Sequence, residues 1–576
     1  MMKKTMTKIG SLAMCAMMAF SFAACGDKGG TVNRDKTTVI EVAVHQGGVG
    51  YVWLQEAAKR FETANAEKSY AEGKTGVKIE ITPGGTALAS QSMGSDSYNI
   101  YLVERTDTYP FIANGLFLDI SEVMEMEDSN GRTLEERINP SIVPTLKGND
   151  GKTYVLPGWE FYSGVSYDKE TFDEKYAYIA DSSAEDALEY ESDYGTLNMI
   201  GTLTTKRSCG PDGEYGTDDD GLPSSLEELL ILCSYLKKEG VEPFTLPGSW
   251  PGYCKYLLAG LWTSLAGYDS MKAVYNFGGE TVEIIKSDEN GNLMFTDENL
   301  FTGIDYLKKP VTETVQITTE NGYLTNDMTA KYYAAAFLQI LETEGFLSAD
   351  ASNAVGHTDA QMNFLTGGTE TKRKGMIMEG SYWWGESEMA GNFEDYNILT
   401  EKDAKDRDIR WMPLPTSLDT PTTEGNGEKN TLIDTCFSSC YINNNIKNNE
   451  ELKTASIDFV KFLYSEEELV NFTKDTGSFR PIDYEVASSE FDSIFYRELV
   501  ELRNNSNVVQ FAAENNNDIF RYHRGALKIE LGGSVFTANY NSKPYDSYLL
   551  AYRAGATAVD AINSTRFSQD EWSTFL

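Results

Sequence analysis

Apolar and polar positions alternate from Thr38 to Val44, then give way to a glycine-rich loop, His45 to Gly50. From Tyr51 to Asn65 the period changes, and Leu54, Ala57, Ala58 and Phe61 recur at helical spacing. Strand, loop and helix in this order open an α/β fold. Strands are predicted again at Val77 to Thr82 and Tyr98 to Val103, giving a largely parallel sheet whose ligand edge lies at the carboxyl ends of its strands. On that edge fall Gln46, Gly47 and Gly48 after the first strand and Glu104 and Asp107 after the third. They are candidate ligand contacts, weighed against turn residues and surface ion pairs.

Farther along, Pro223-Ser224-Ser225-Leu226-Glu227-Glu228 announces a helix with a capping box, and Leu226, Leu229, Leu230 and Cys233 give it an apolar stripe. A second stripe, Ala455, Phe459, Phe462 and Leu463, predicts a helix over 450–464, and Leu549, Tyr552, Ala556 and Val559 predict another near the end. Residues 181–222 and 416–430 are rich in Gly, Asp, Thr and Asn and are predicted to be surface insertions. With 576 residues the chain exceeds one ordinary core, so at least two domains are expected.

The N-terminus follows different rules. Lys3, Lys4 and Lys8 precede an apolar stretch from Ile9 to Phe22, too short to span a bilayer and followed at once by Gly26, Asp27 and Lys28. This is an export signal. The segment Phe22-Ala23-Ala24-Cys25-Gly26 resembles a lipobox, with Phe22 where Leu is usual, so residues 1–24 are expected to be removed and Cys25 to carry the lipid. A plain secretory signal is the alternative. Residues 25–36 then read as a flexible tether, and the protein is expected at the outer face of a bacterial cytoplasmic membrane.

Composition narrows the partners. A formal charge of −39 excludes nucleic acid and broad adhesion to anionic lipid, since both need clustered Lys and Arg. Membrane contact is therefore expected through the lipid anchor only, and the protein is expected to be a monomer. Cys209, Cys233, Cys254, Cys436 and Cys440 remain after the signal and Cys25, and with only three His in the chain they read as buried free thiols rather than a zinc site. No cofactor is expected. The loop from Asp212 to Gly221 gathers Asp212, Glu214, Asp218 and Asp220, oxygen ligands of the kind Ca²⁺ takes, although EF-hand spacing is absent. A structural calcium is weighed there against a solvated acidic turn. Gly48-x-Gly50 is a weak dinucleotide signal, because Trp53 occupies the third glycine's place.

Several separated segments, in order, resemble the family 1 extracellular solute-binding proteins that deliver sugars to ABC importers. They are the opening strand-loop-helix ending in Lys59-Arg60-Phe61-Glu62; Asn99-Ile100-Tyr101-Leu102; and Gly151-Lys152-Thr153-Tyr154-Val155-Leu156-Pro157 with Ser163-Gly164-Val165-Ser166-Tyr167-Asp168. Gly375-Met376-Ile377-Met378-Glu379-Gly380-Ser381-Tyr382-Trp383-Trp384, Trp411-Met412-Pro413-Leu414-Pro415 and Thr476-Gly477-Ser478-Phe479-Arg480-Pro481 complete the set. The resemblance implies a two-lobed, periplasmic-binding-protein-like (type II) α/β fold with a hinge and a ligand cleft. Lobe 1 would comprise residues 37–157 plus about 436–483, and lobe 2 residues 158–435 plus about 484–576, with crossings near 157–160, 435–440 and 483–490. It also implies a docking partner, the permease subunits of an ABC transporter.

A sugar offers flat apolar C–H faces and a dense set of hydroxyls, so its site needs aromatic rings beside polar side chains. Trp159-Glu160 falls at the first crossing, and Trp250 lies in a loop with two Pro and two Gly. Tyr382, Trp383 and Trp384 follow Gly380; in the family a Trp two residues after that Gly stacks on ligand, and here Tyr382 takes its place. Arg480 is a candidate fork onto hydroxyls or a carboxylate. For each Trp the competing reading is core. The function expected is capture of a carbohydrate, an oligosaccharide in the first place, without catalysis. The alternatives are a secreted glycoside hydrolase with two catalytic carboxylates, or a binding protein for peptides or other polar solutes.

Overall fold

The computed structural model describes residues 33–84, 93, 95–104, 107–367, 372–419, 430–436, 438–510, 518–523, 526–528 and 534–576. Cys25, the signal segment and most of the tether lie outside these residues.

Two sheets, each with its own buried core, organise the chain. The first runs, edge to edge, Val77–Pro83, Thr38–Val44, Ile100–Glu104, Ser438–Ile442, Leu156–Pro157. Its first three strands are parallel, and the helix Val52–Ala64 covers them through Trp53, Leu54, Ala57, Ala58 and Phe61. Phe61 packs on Phe459 and Phe462 at 5.0 and 5.3 Å, so the stripe of helix Glu450–Leu463 meets that of the first helix. Some 390 residues separate these helices in sequence, yet they close one core.

The second sheet runs Ile409–Trp411, Ser163–Asp168, Lys374–Gly380, Glu242–Thr245. Here the expectation of largely parallel pairing fails: only Lys374–Gly380 and Glu242–Thr245 are parallel. The reason is connectivity. Ser163–Asp168 and Ser438–Ile442 each enter from the opposite lobe, and both run against their neighbours. Beneath this sheet, helix Leu226–Lys238 begins with the predicted capping box, Ser225 with Glu228, and is buried on nearly all sides.

Other departures have local causes. The stretch 181–222 is not all surface, because the hairpin Leu188–Ser192 and Gly195–Met199 buries Tyr190 and Met199 against that helix. Two further antiparallel pairs, Gly278–Ile285 with Thr312–Thr318 and Phe295–Phe301 with Ile304–Pro310, elaborate the second lobe. The C-terminal stripe forms two helices, Tyr548–Arg553 and Ala558–Asn563, broken at Gly555, whose φ of +99° an L side chain rarely adopts. Residues 420–429 of the second expected insertion lie outside the described residues. All five described cysteines are buried. Among the described residues no helix is long and apolar enough to cross a membrane.

Candidate functional site

Three segments carry the chain between the cores, and they lie side by side. Gly158 N–H donates to the Ser438 carbonyl at 2.9 Å, Glu160 N–H to Phe479 at 2.7 Å, and Thr435 N–H to Phe161 at 3.2 Å. A Cβ at Gly158 would meet the Ser438 backbone at 2.9 Å, so glycine permits this approach. Among the described residues these strands of chain link the two lobes covalently.

Above it the lobes meet. From the first lobe comes the loop after Thr38–Val44, where Gly48 and Gly50 hold φ of +62° and +67°. A side chain at Gly50 would strike Met389 of the second lobe, and one at Gly47 would stand 3.9 Å from the Glu386 carboxylate. Glycine thus lets this loop lie directly on helix Trp383–Met389. Glu104, at the end of the third strand, has a 4% exposed side chain and accepts from Trp159 Nε1 at 2.9 Å, with His45 Nε2 at 3.4 Å.

Opposite stand residues of the second lobe. Gln361 Nε2 donates to Glu386 at 2.9 Å and to Glu379 at 3.3 Å, and His357 Nε2 lies 3.9 Å from Glu386. Burial pushes the Glu379 carboxyl well above the usual range, with the neighbouring Glu386 adding to it; burial also raises Glu386. Tyr382 and Tyr256 share a hydroxyl hydrogen bond of 2.7 Å, and Tyr253 lies edge-on to Tyr256 and 6.5 Å from His357. Burial raises the Tyr253 and Tyr382 phenols too, so these hydroxyls stay protonated and able to donate.

Toward the crossings the seam continues past Trp159 into a small cavity lined by Thr108, Asp434, Ser438 and Gln510. Gln510 donates to Glu160 at 2.7 Å, and both residues border a groove of about 390 Å³ that Arg137, Asn139, Tyr268 and Arg503 also line. Burial, reinforced by Glu160, lifts the Asp434 carboxyl well above its ordinary range.

The structure sorts the candidates read from sequence. Gly47, Gly48, Glu104, Trp159 and Tyr382 converge on the seam, and Gln46 stands exposed near Gly84 at the end of the second strand. Asp107 is exposed beyond it. Glu160 is buried, accepting from Tyr162 and Gln510. Trp250 is 57% exposed on the loop that leads to Tyr253.

Trp383 and Trp384 are corrected. Both are wholly buried, Trp383 donating to Ser166 and Trp384 stacked on Phe495 at 5.0 Å, so neither ring has a face for a ligand. Arg480 is corrected likewise. It is buried behind the crossings, donates to Gly158 O and Tyr464 Oη, and sits over Phe472 and Tyr464 at 4.5 Å. It props the hinge from within the first lobe.

In the acidic loop, Asp212 accepts from Glu214 N–H, Asp220 from Gly216 N–H, and Asp218 pairs with Arg410. Asp219 accepts from Asp212 N–H and Thr217. Among the described residues no three such groups converge as metal ligands would. Sequence reading missed Tyr253, Gln361, Glu379 and Glu386. The available signal was Glu379 itself, a carboxylate closing the apolar run Met376-Ile377-Met378.

No protein-family model matches the chain, and no curated protein matches it. Solved structures to which it is similar include maltose-bound MalE3 of T. maritima, at 13% identity over 94% of this chain and 100% of that one, with a TM-score of 0.49. A chitin oligosaccharide binding protein stands at 16% identity, 93% and 100% coverage and 0.49. A sugar transporter of Bacillus licheniformis in complex with stachyose stands at 13%, 93%, 100% and 0.47.

Proposed function

We propose that the protein is a lipid-tethered receptor that captures a carbohydrate between its lobes and passes it, unchanged, to an ABC importer. The observation that carries this reading is the seam: aromatic rings and buried hydrogen-bonding groups from two separate cores face one another across three adjacent crossings. Aromatic faces suit a sugar's C–H surface, and carboxylates, amides and phenols suit its hydroxyls. A ligand touching both walls favours the closed form, because only that form contacts it twice. The acidic residues serve as acceptors here, not as acid and base.

Lipid on Cys25 would keep the receptor beside its transporter and raise its effective concentration there. Thermal-shift screening of the purified protein against mono- and oligosaccharides, with peptides in parallel, tests the ligand class. A rise in melting temperature with a sugar is expected, and a response to peptides alone contradicts the reading. Cys25→Ser is expected to move the protein from the membrane to the soluble fraction with ligand affinity unchanged.

A further inference from the structure

The second lobe's wall of the seam carries acceptors that the described residues leave unmet. Gln361 and Glu379 have no solvent exposure, and neither Gln361 Oε1 nor Glu379 Oε2 has a hydrogen-bond partner among the described residues. The single Gln361 amide nitrogen serves both Glu379 and Glu386. Beyond that shared amide, Glu379 has the Gly380 backbone and Glu386 the Gly48 backbone as donors, which leaves Gln361 Oε1 and Glu379 Oε2 as the acceptors without a partner among the described residues. His357 at 3.9 Å from Glu386 and Lys255 on the Glu379 side are the cations that face them.

A buried acceptor left unsatisfied costs about 1–3 kcal/mol, and more when charged. A ligand hydroxyl brings one donor and no charge. A protonated amine brings three donors, and its positive charge opposes the desolvation that holds Glu379 and Glu386 toward their neutral forms. The place is also well chosen, since Gly47 and Gly48 of the first lobe lie against Glu386 without a side chain between. A group held there touches both lobes.

We propose that the captured ligand presents a protonated amine to Glu379, Gln361 and Glu386, which within the carbohydrate reading makes it an amino sugar. The inference rests on that reading and refines it. Calorimetry at pH 7 on the purified full chain tests it with oligomers of glucosamine, the same oligomers N-acetylated, and a linear polyamine. The free-amine oligomers are expected to bind about tenfold or more tighter than the acetylated ones. That preference should vanish in Glu386→Gln, whose side chain lies at the rim and keeps its shape, and weaken in Glu379→Gln.

Equal affinity for acetylated and free-amine oligomers overturns the proposal, as does a preference that survives in both variants. Binding of the polyamine with no response to any sugar supports amine capture and overturns the carbohydrate reading. Binding of none of the three probes overturns the amine proposal.

Discussion

In the loop from Asp212 to Gly221 the carboxylates of Asp212, Asp219 and Asp220 accept from the loop's own backbone, whereas at the seam Glu379 and Glu386 share one side-chain amide from a distant helix. The loop is the more conspicuous in sequence, with five acidic residues and three glycines in ten positions, and it borders a cavity of about 490 Å³ with Arg410, Trp411 and Glu498. Asp212, Asp218, Asp219 and Asp220 nevertheless have partners. At the seam the acids come from distant parts of the chain, and buried acceptors stay unmet. Density of charge marks a loop that folds on itself; unmet capacity marks a place that waits for something else.

Substitutions distinguish the two regions. Gln361→Leu has the largest expected effect, since it removes the side-chain donor that two buried carboxyls share, and a loss of about 2–3 kcal/mol should appear in denaturant unfolding. Thr217→Val, which removes one hydroxyl from Asp219 in the loop, should cost only about 1 kcal/mol by the same assay. If the two losses were equal, the contrast would fail. Asp218→Asn in the loop should leave ligand affinity within about twofold, while Glu386→Gln should change it by about tenfold.

A pH-dependent effect concerns Glu228, a buried carboxyl satisfied by backbone in the manner of the loop. It accepts from Ser224 N–H and Ser225 N–H, yet burial still raises its pKa to about 7. A carboxyl raised above its unfolded value contributes stability below about 4.5 that is lost as pH rises through about 7. Melting temperature measured across that window should fall less steeply in Glu228→Gln than in the wild type.

Local rules made much of the fold legible. The first strand, loop and helix, the Ser225 capping box and the apolar helix over 450–464 each depend on residues within one turn or one strand. The seam depends on tertiary placement. Glu379 ends a strand, Glu386 sits seven residues on in a helix, and Gln361 comes from the helix His357–Leu365, so no spacing in sequence announces that the three meet. Aromatic residues misled for a related reason. Trp383 and Trp384 follow a glycine in a loop-like context, but the helix that begins at Trp383 turns both rings into the core. Tyr382, one residue earlier, stays at the seam through Tyr256.

The most direct test is a calorimetric titration of the purified protein with an oligosaccharide panel, followed by analysis of the recovered sugar. The account predicts saturable one-to-one binding and a ligand returned intact. Release of new reducing ends, or no heat with any sugar where a peptide gives a clear signal, would contradict it.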